Sequence, residues 1–156
     1  MSKIEGLEIK PLRVFKDKEG HAFETLRNND SMFEGKFGQN FLSFTFPGVI
    51  KGLHKHERLI EYTTCIRGNI LFVVIKEPSN PEDGEKPIIE RIKMGEDNMV
   101  LVKTPPGVWH GYIALPGSDT IVLYTMDTAY DPSQVDQETK DAYAFGDVWK
   151  LDEIIE

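Results

Sequence analysis

The sequence contains a single cysteine, Cys65, so no internal disulfide framework can hold it together. No apolar run approaches the roughly 20 residues that a membrane-spanning helix needs. The opening stretch MSKIEGLEIK is charged throughout and lacks the apolar centre of a secretory signal, so a cytoplasmic location is expected. Positive charge is in short supply: 18 Lys and Arg stand against 26 Asp and Glu, for a formal net charge of −8. A surface of that sign repels nucleic acid and anionic membranes. It still permits a phosphorylated small substrate, because a local cluster of cations binds phosphate whatever the overall charge. Repeats, low-complexity tracts and linkers are missing. Helix signals are weak up to residues 147–155 (DVWKLDEII), which predict a short C-terminal helix.

What is abundant is strand signal. A chain of 156 residues, 40% apolar and 28% charged, fits one globular domain with a real core, here residues 1–156. Runs rich in β-branched and aromatic residues recur at Leu7–Phe15, Gln39–Phe46, Val49–His54, Tyr62–Ile66, Asn69–Ile75, Ile88–Ile92, Met99–Lys103, Gly111–Leu115 and Thr120–Met126. Turn signals separate them, among them Pro47-Gly48, Arg67-Gly68, Pro105-Pro106-Gly107 and Pro116-Gly117. Many short strands at close spacing predict an all-β antiparallel sandwich or barrel.

One stretch, GVIKGLHKHERLIE, places His54 and His56 one residue apart. Period-2 alternation puts both on the same face of a strand, and a barrel turns one face inward. Gly48, His54, His56, Glu61 and Gly68 stand at the spacing of the first cupin signature, and Pro105, Gly107 and His110 in PPGVWHGY match the second. The chain therefore resembles the cupins, which implies a double-stranded β-helix of jelly-roll type. The glycine upstream and asparagine downstream of the second signature are not in place. Three imidazoles and a carboxylate would suit Fe, Mn, Ni or Zn. The same residues also suit the lining of a solvated cavity, or core histidines bonded to backbone.

Further segments narrow the likeness. FETLRNND, FGQNFLSFTFPGVIKGLH, PPGVWHGY and YTMDTAYDP follow one another as in dTDP-4-dehydrorhamnose 3,5-epimerases, over about Gly20 to Phe145. The resemblance implies His54 as general base, Tyr130 as general acid and Asp141 as the group orienting His54. It implies substrate contacts from Gln39 and Asn40, and from Phe23, Glu24 and Arg27 reaching across a homodimer to the nucleotide and phosphates. His110 matches the histidine of the family's PxGxxHG segment. The chemistry fits these residue types. A 4-keto group acidifies its neighbouring carbons, a histidine near pH 7 can take the proton, and a donor on the other face must return one. The enolate needs a cation or hydrogen-bond donor, for which Lys51 and His110 are the candidates. Strict alternation would turn Lys51 away from His54, and a bulge at Gly52 would bring both inward.

Four departures bear on this expectation. The family arginine before GLH is Lys51, which cannot make bidentate contacts. A glutamine after the catalytic histidine is His56, a following lysine is Glu61, and the segment from Tyr130 to Asp141 is shortened. The first three move the site toward metal ligation. Tyr130, which no cupin metal chemistry calls for, points back to the epimerase, although an aromatic beside Pro132 can also simply pack. The preferred expectation is a nucleotide-sugar epimerase with no cofactor and no metal. The alternatives are a metal-dependent isomerase or dioxygenase holding a divalent ion on His54, His56, Glu61 and His110, and a non-catalytic sugar-binding cupin.

Overall fold

Strand pairing follows the apolar alternation. In the computed structural model, which describes residues 1–151, twelve strands run β1 (Glu8–Pro11), β2 (Val14–Asp17), β3 (Gly20–Phe23), β4 (Gln39–Thr45), β5 (Ile50–Lys55), β6 (Glu61–Arg67), β7 (Asn69–Lys76), β8 (Ile88–Gly95), β9 (Val100–Thr104), β10 (Trp109–Ala114), β11 (Thr120–Met126) and β12 (Glu138–Thr139). Two five-stranded antiparallel sheets result, ordered β1-β9-β6-β11-β4 and β12-β5-β10-β7-β8, with a separate β2-β3 hairpin. This is the all-β architecture the sequence predicts. Among the described residues no helix is long and apolar enough to cross a membrane.

The main core lies between the sheets. Ile70, Phe72 and Val74 of β7 pack there against Val102, Tyr112 and Val122. The alternate residues Leu71, Val73 and Ile75 face the other way, under Trp109, Val148 and Trp149. Strand β7 is therefore apolar on both sides, as a strand buried on both faces must be. A third cluster, Leu12, Met32, Ile60, Tyr62 and Leu101, with Phe23 packed against it, covers the outer face of the first sheet.

Two expectations change. The run Leu7–Phe15 is two strands, because Leu12 leaves the β1 ladder to join the third cluster and β2 turns to pair with β3. Residues 147–150 form no helix: the Trp149 indole N–H donates to the Ala142 carbonyl at 2.9 Å and Arg91 Nε donates to the Val148 carbonyl at 2.7 Å, which fastens this segment flat on the second sheet. The rest of the expected C-terminal helix, from residue 152 on, lies outside the described residues.

The bulge expected at Gly52 is present. His110 stands opposite His54 and Tyr112 opposite Lys51, so Gly52 and Leu53 together face Gly111. The backbones touch there: a Cβ on Gly111 would lie 2.6 Å from the Lys51 carbonyl oxygen and 2.9 Å from the Gly52 Cα. Gly111→Ala is expected to cost about 1–3 kcal/mol by overpacking, read as a lower urea midpoint. An unchanged midpoint would show that β5 and β10 can part without loss.

Candidate active site

The bulge gives β5 an inward face that carries Lys51 and His54, with His56 just beyond the end of the strand. The Lys51 ammonium donates to Ser43 Oγ at 2.9 Å, and the Tyr112 hydroxyl donates to the same oxygen at 3.0 Å. Thr45 completes this buried chain 2.7 Å from the Tyr112 hydroxyl. Lys51, although exposed, is thus tied across the sandwich to β4.

Further along the same face three imidazoles gather. The His54 and His110 ring centroids lie 6.5 Å apart and those of His56 and His110 lie 5.5 Å apart. Glu61, the first residue of β6, is 3% exposed and sits between two of them. Its Oε2 is 3.6 Å from His56 Nε2 and its Oε1 is 3.4 Å from His110 Nε2. The Thr63 hydroxyl donates to Oε1 at 3.0 Å. His56 Nδ1 lies 2.5 Å from the Asp136 carbonyl oxygen, which fixes that ring at both nitrogens.

The electrostatics divide the histidines. Burial alone would raise the Glu61 pKa, but His110 and His56 beside it hold the carboxyl well below the usual carboxylate range. Burial would lower that of His56, yet the Glu61 carboxylate and the Asp136 carbonyl raise it on balance. His54 goes the opposite way. Burial first, then the neighbouring His110, lowers its pKa, with Glu61 opposing and His56 adding to the fall. His54 is the imidazole kept neutral. Its Nδ1 is buried and makes no hydrogen bond among the described residues.

A cavity of about 770 Å³ opens beside this cluster, with His56, Gln39, Phe41, Met126 and Tyr130 on its walls. Tyr130 is 69% exposed, and its backbone N–H donates to Gln39 Oε1 at 2.8 Å. Glu61 and His110 are buried behind His56.

Not every expected residue arrives here. Asp141 is exposed and accepts the Tyr143 N–H at 2.8 Å, with no bond to His54. The reason is register: β12 sets Thr139 opposite His54, and residue 140 exchanges backbone bonds with Leu53, so Asp141 lies beyond the ring. Asn40 faces outward from β4, accepts the Thr125 hydroxyl at 2.8 Å, and lines a separate cavity of about 220 Å³ with Arg27. Arg27 also lies 3.8 Å from Glu24. Phe23, Glu24, Arg27 and Asn40 thus stand apart from His54 within the chain, whereas Gln39 and Tyr130 meet. Of the four expected metal ligands, His56, Glu61 and His110 present ligand atoms all within 4.8 Å of one another, and His54 is outside that group. Sequence reasoning missed Ser43, Tyr112 and Asp136. The first two are signalled only by polar residues at inward strand positions, and nothing in the sequence distinguishes Asp136 from a solvated loop acid.

Residues 1–154 match the family described as dTDP-4-dehydrorhamnose 3,5-epimerase. The spore coat polysaccharide biosynthesis protein SpsL of Bacillus subtilis is 33% identical over 137 residues, 86% of this chain and 87% of that protein. The probable low-salt glycan biosynthesis epimerase Agl13 of Haloferax volcanii is 27% identical over 140 residues, 88% of each. Among solved structures, the dTDP-4-dehydrorhamnose 3,5-epimerase of Sulfolobus tokodaii superposes with a TM-score of 0.77 at 26% identity, over 99% of this chain and 87% of that one. ChmJ, a 3'-monoepimerase of Streptomyces bikiniensis in complex with dTDP-quinovose, shares the fold, with a TM-score of 0.79 at 21% identity over 99% and 79%. By its sequence match and its jelly-roll fold, the chain belongs to the dTDP-4-dehydrorhamnose 3,5-epimerase family of nucleotide-sugar epimerases.

Proposed function

We propose that this epimerase inverts C3, C5 or both in a dTDP-linked 4-keto-6-deoxy-hexose, by removing a proton beside the keto group and returning one to the opposite face. The observation that carries the reading is the half-buried His54, whose pKa is lowered by burial and by the neighbouring His110 ring, next to His56 on the wall of the open cavity. A base must be unprotonated to act, and a lowered pKa keeps it so into mild acid. Tyr130, on the cavity wall, is the donor on the far face. Lys51 and His110, on the same inward face as His54, supply positive charge or a hydrogen bond to the enolate oxygen.

The lowered His54 pKa fixes the sign of a pH effect. The acidic limb of kcat/KM is expected to inflect below the ordinary value of 6.5. An inflection above 6.5 that disappears in His54→Asn would contradict the assignment.

A homodimer belongs to this reading. Arg27 and Phe23 lie on the outer face of the first sheet, away from the cavity of their own subunit. Only a second copy can bring them to a bound nucleotide. The exposed Leu42, Phe44 and Phe46 on and beside β4 supply an apolar surface for such contact. A cytoplasmic setting accords with the buried free thiol of Cys65, whose pKa burial pushes to about 12.

A second reading rests on the ligand spacing of His56, Glu61 and His110. These three residue types fit a divalent cation, which would polarise the keto oxygen when bound. His54 remains the base in both readings. Metal content after purification without an affinity tag separates them, together with the activity of His56→Ala.

A further inference from the structure

The segment from Tyr130 to β12 forms one wall of the cavity as a strap, with Tyr130, Asp131, Gln134 and Asp136 among its lining, and its anchoring is concentrated in one residue. At one end the Tyr130 N–H is held by Gln39 on β4. Residues 131–134 then turn on themselves: Asp131 Oδ1 accepts both the backbone N–H and the hydroxyl of Ser133. At the other end Asp136 is bound four times. Its Oδ1 accepts the Glu57 N–H at 2.9 Å, its Oδ2 accepts the N–H groups of Arg58 at 3.0 Å and Leu59 at 3.1 Å, and its carbonyl meets His56 Nδ1 at 2.5 Å. Arg58 adds an ion pair to the same carboxylate, with Nε 3.9 Å from Asp136 Oδ1, and its Nη2 lies 3.5 Å from the Gln134 carbonyl. Three convergent N–H donors favour a carboxylate over any neutral side chain.

We propose that Asp136 is a positioning residue for the epimerisation: it latches the strap to the β5–β6 connection and so holds Tyr130 at the cavity wall. The inference rests on the reading of Tyr130 as proton donor. The consequence is kinetic. Tyr130 is largely exposed and, among the described residues, is anchored at its own position by one hydrogen bond, from its backbone N–H to Gln39, so its placement at the cavity is inherited from the strap. Displacing a proton donor by about 1 Å can cost as much as 100-fold in rate. The same residue also joins the strap to the His56 ring, which couples the cavity wall to the buried histidine cluster.

The test is a double-mutant cycle with Asp136→Ala and Tyr130→Phe, followed by kcat/KM and by amide hydrogen exchange. Asp136→Ala is expected to lower kcat/KM by about 10–100-fold in the parent chain and by at most about twofold in the Tyr130→Phe background, since coupled residues are non-additive. Exchange of the Tyr130 amide should rise at least about tenfold while the β7 amides keep their protection. Asp136→Asn, which keeps one acceptor oxygen, should fall between parent and Ala on both measures and serves if the Ala variant does not fold. Equal losses in both backgrounds, or an unchanged Tyr130 amide, would overturn the latch and leave Asp136 a merely structural residue. The amide arm needs no turnover. Failure of the unmutated chain to turn over would count against the epimerase reading, whereas turnover with an additive cycle counts against the latch alone.

Discussion

Glu61→Ala is expected to lower the unfolding free energy by about 3–5 kcal/mol, the usual cost of removing one partner from a buried charge network. The Glu61 carboxylate is enclosed, and it answers two imidazoles and a threonine hydroxyl. Without it the buried His56 loses the counter-charge that raises its pKa, and His110 loses the carboxylate beside its Nε2. The pH dependence follows from the two shifts. The Glu61 pKa is depressed on folding, so its contribution is fully present above the ordinary value of 4.5 and is lost as pH falls toward the folded value. That of His56 is raised, so its contribution is fully present below 6.5 and is lost as pH rises through the folded value. The gap in stability between the parent and Glu61→Gln should therefore be widest between 4.5 and 6.5 and should narrow on both sides. Urea unfolding at a series of pH values measures it. A gap that is flat with pH would show that Glu61 is held by hydrogen bonds alone.

Tyr130→Phe is expected to lower the rate of inversion by about 10²–10⁴-fold, the ordinary worth of a placed general acid. Its second consequence is more specific. His54 can still remove a proton and give it back on the same face, so exchange with solvent should persist while inversion fails. Stability should move by no more than about 0.5 kcal/mol, because the side chain is exposed. NMR of recovered substrate separates label uptake from change of configuration. Loss of both together would show that Tyr130 acts in the first proton transfer, and loss of neither would remove it from the mechanism.

The parts of this account that were legible in the sequence share a physical cause. Strand periodicity is local, so nine of the strand regions could be read from apolar alternation and turn residues. The Gly52 bulge was legible because a glycine inside a strand often marks one, and the close approach of Gly111 is the structural reason for it. What was not legible depends on partners far away in the chain. Strand β12 is two residues long, and its register against β5 decides that Thr139 stands opposite His54, with Asp141 beyond it. Residues 147–150 have the composition of a helix start, but the bonds from Trp149 to Ala142 and from Arg91 to Val148 lay them on the sheet. Tertiary contacts overrode a weak local preference. Asp136 gave no sign of its role because the three N–H groups it binds belong to another loop.

The change of lysine to Glu61 also takes on meaning in the structure. At the surface it would be a simple reversal of charge. Buried between His56 and His110, the carboxylate is the counter-charge that raises the pKa of His56 and lets a histidine-rich cluster form.

The most direct measurement is deuterium uptake by a dTDP-4-keto-6-deoxy sugar in heavy water, with chelator-treated protein and the C3 and C5 protons followed by NMR. The account predicts wash-in at one or both carbons without added metal, and its loss in His54→Ala. Wash-in that appears only after a divalent cation is restored, or that survives unchanged in His54→Ala, would contradict it.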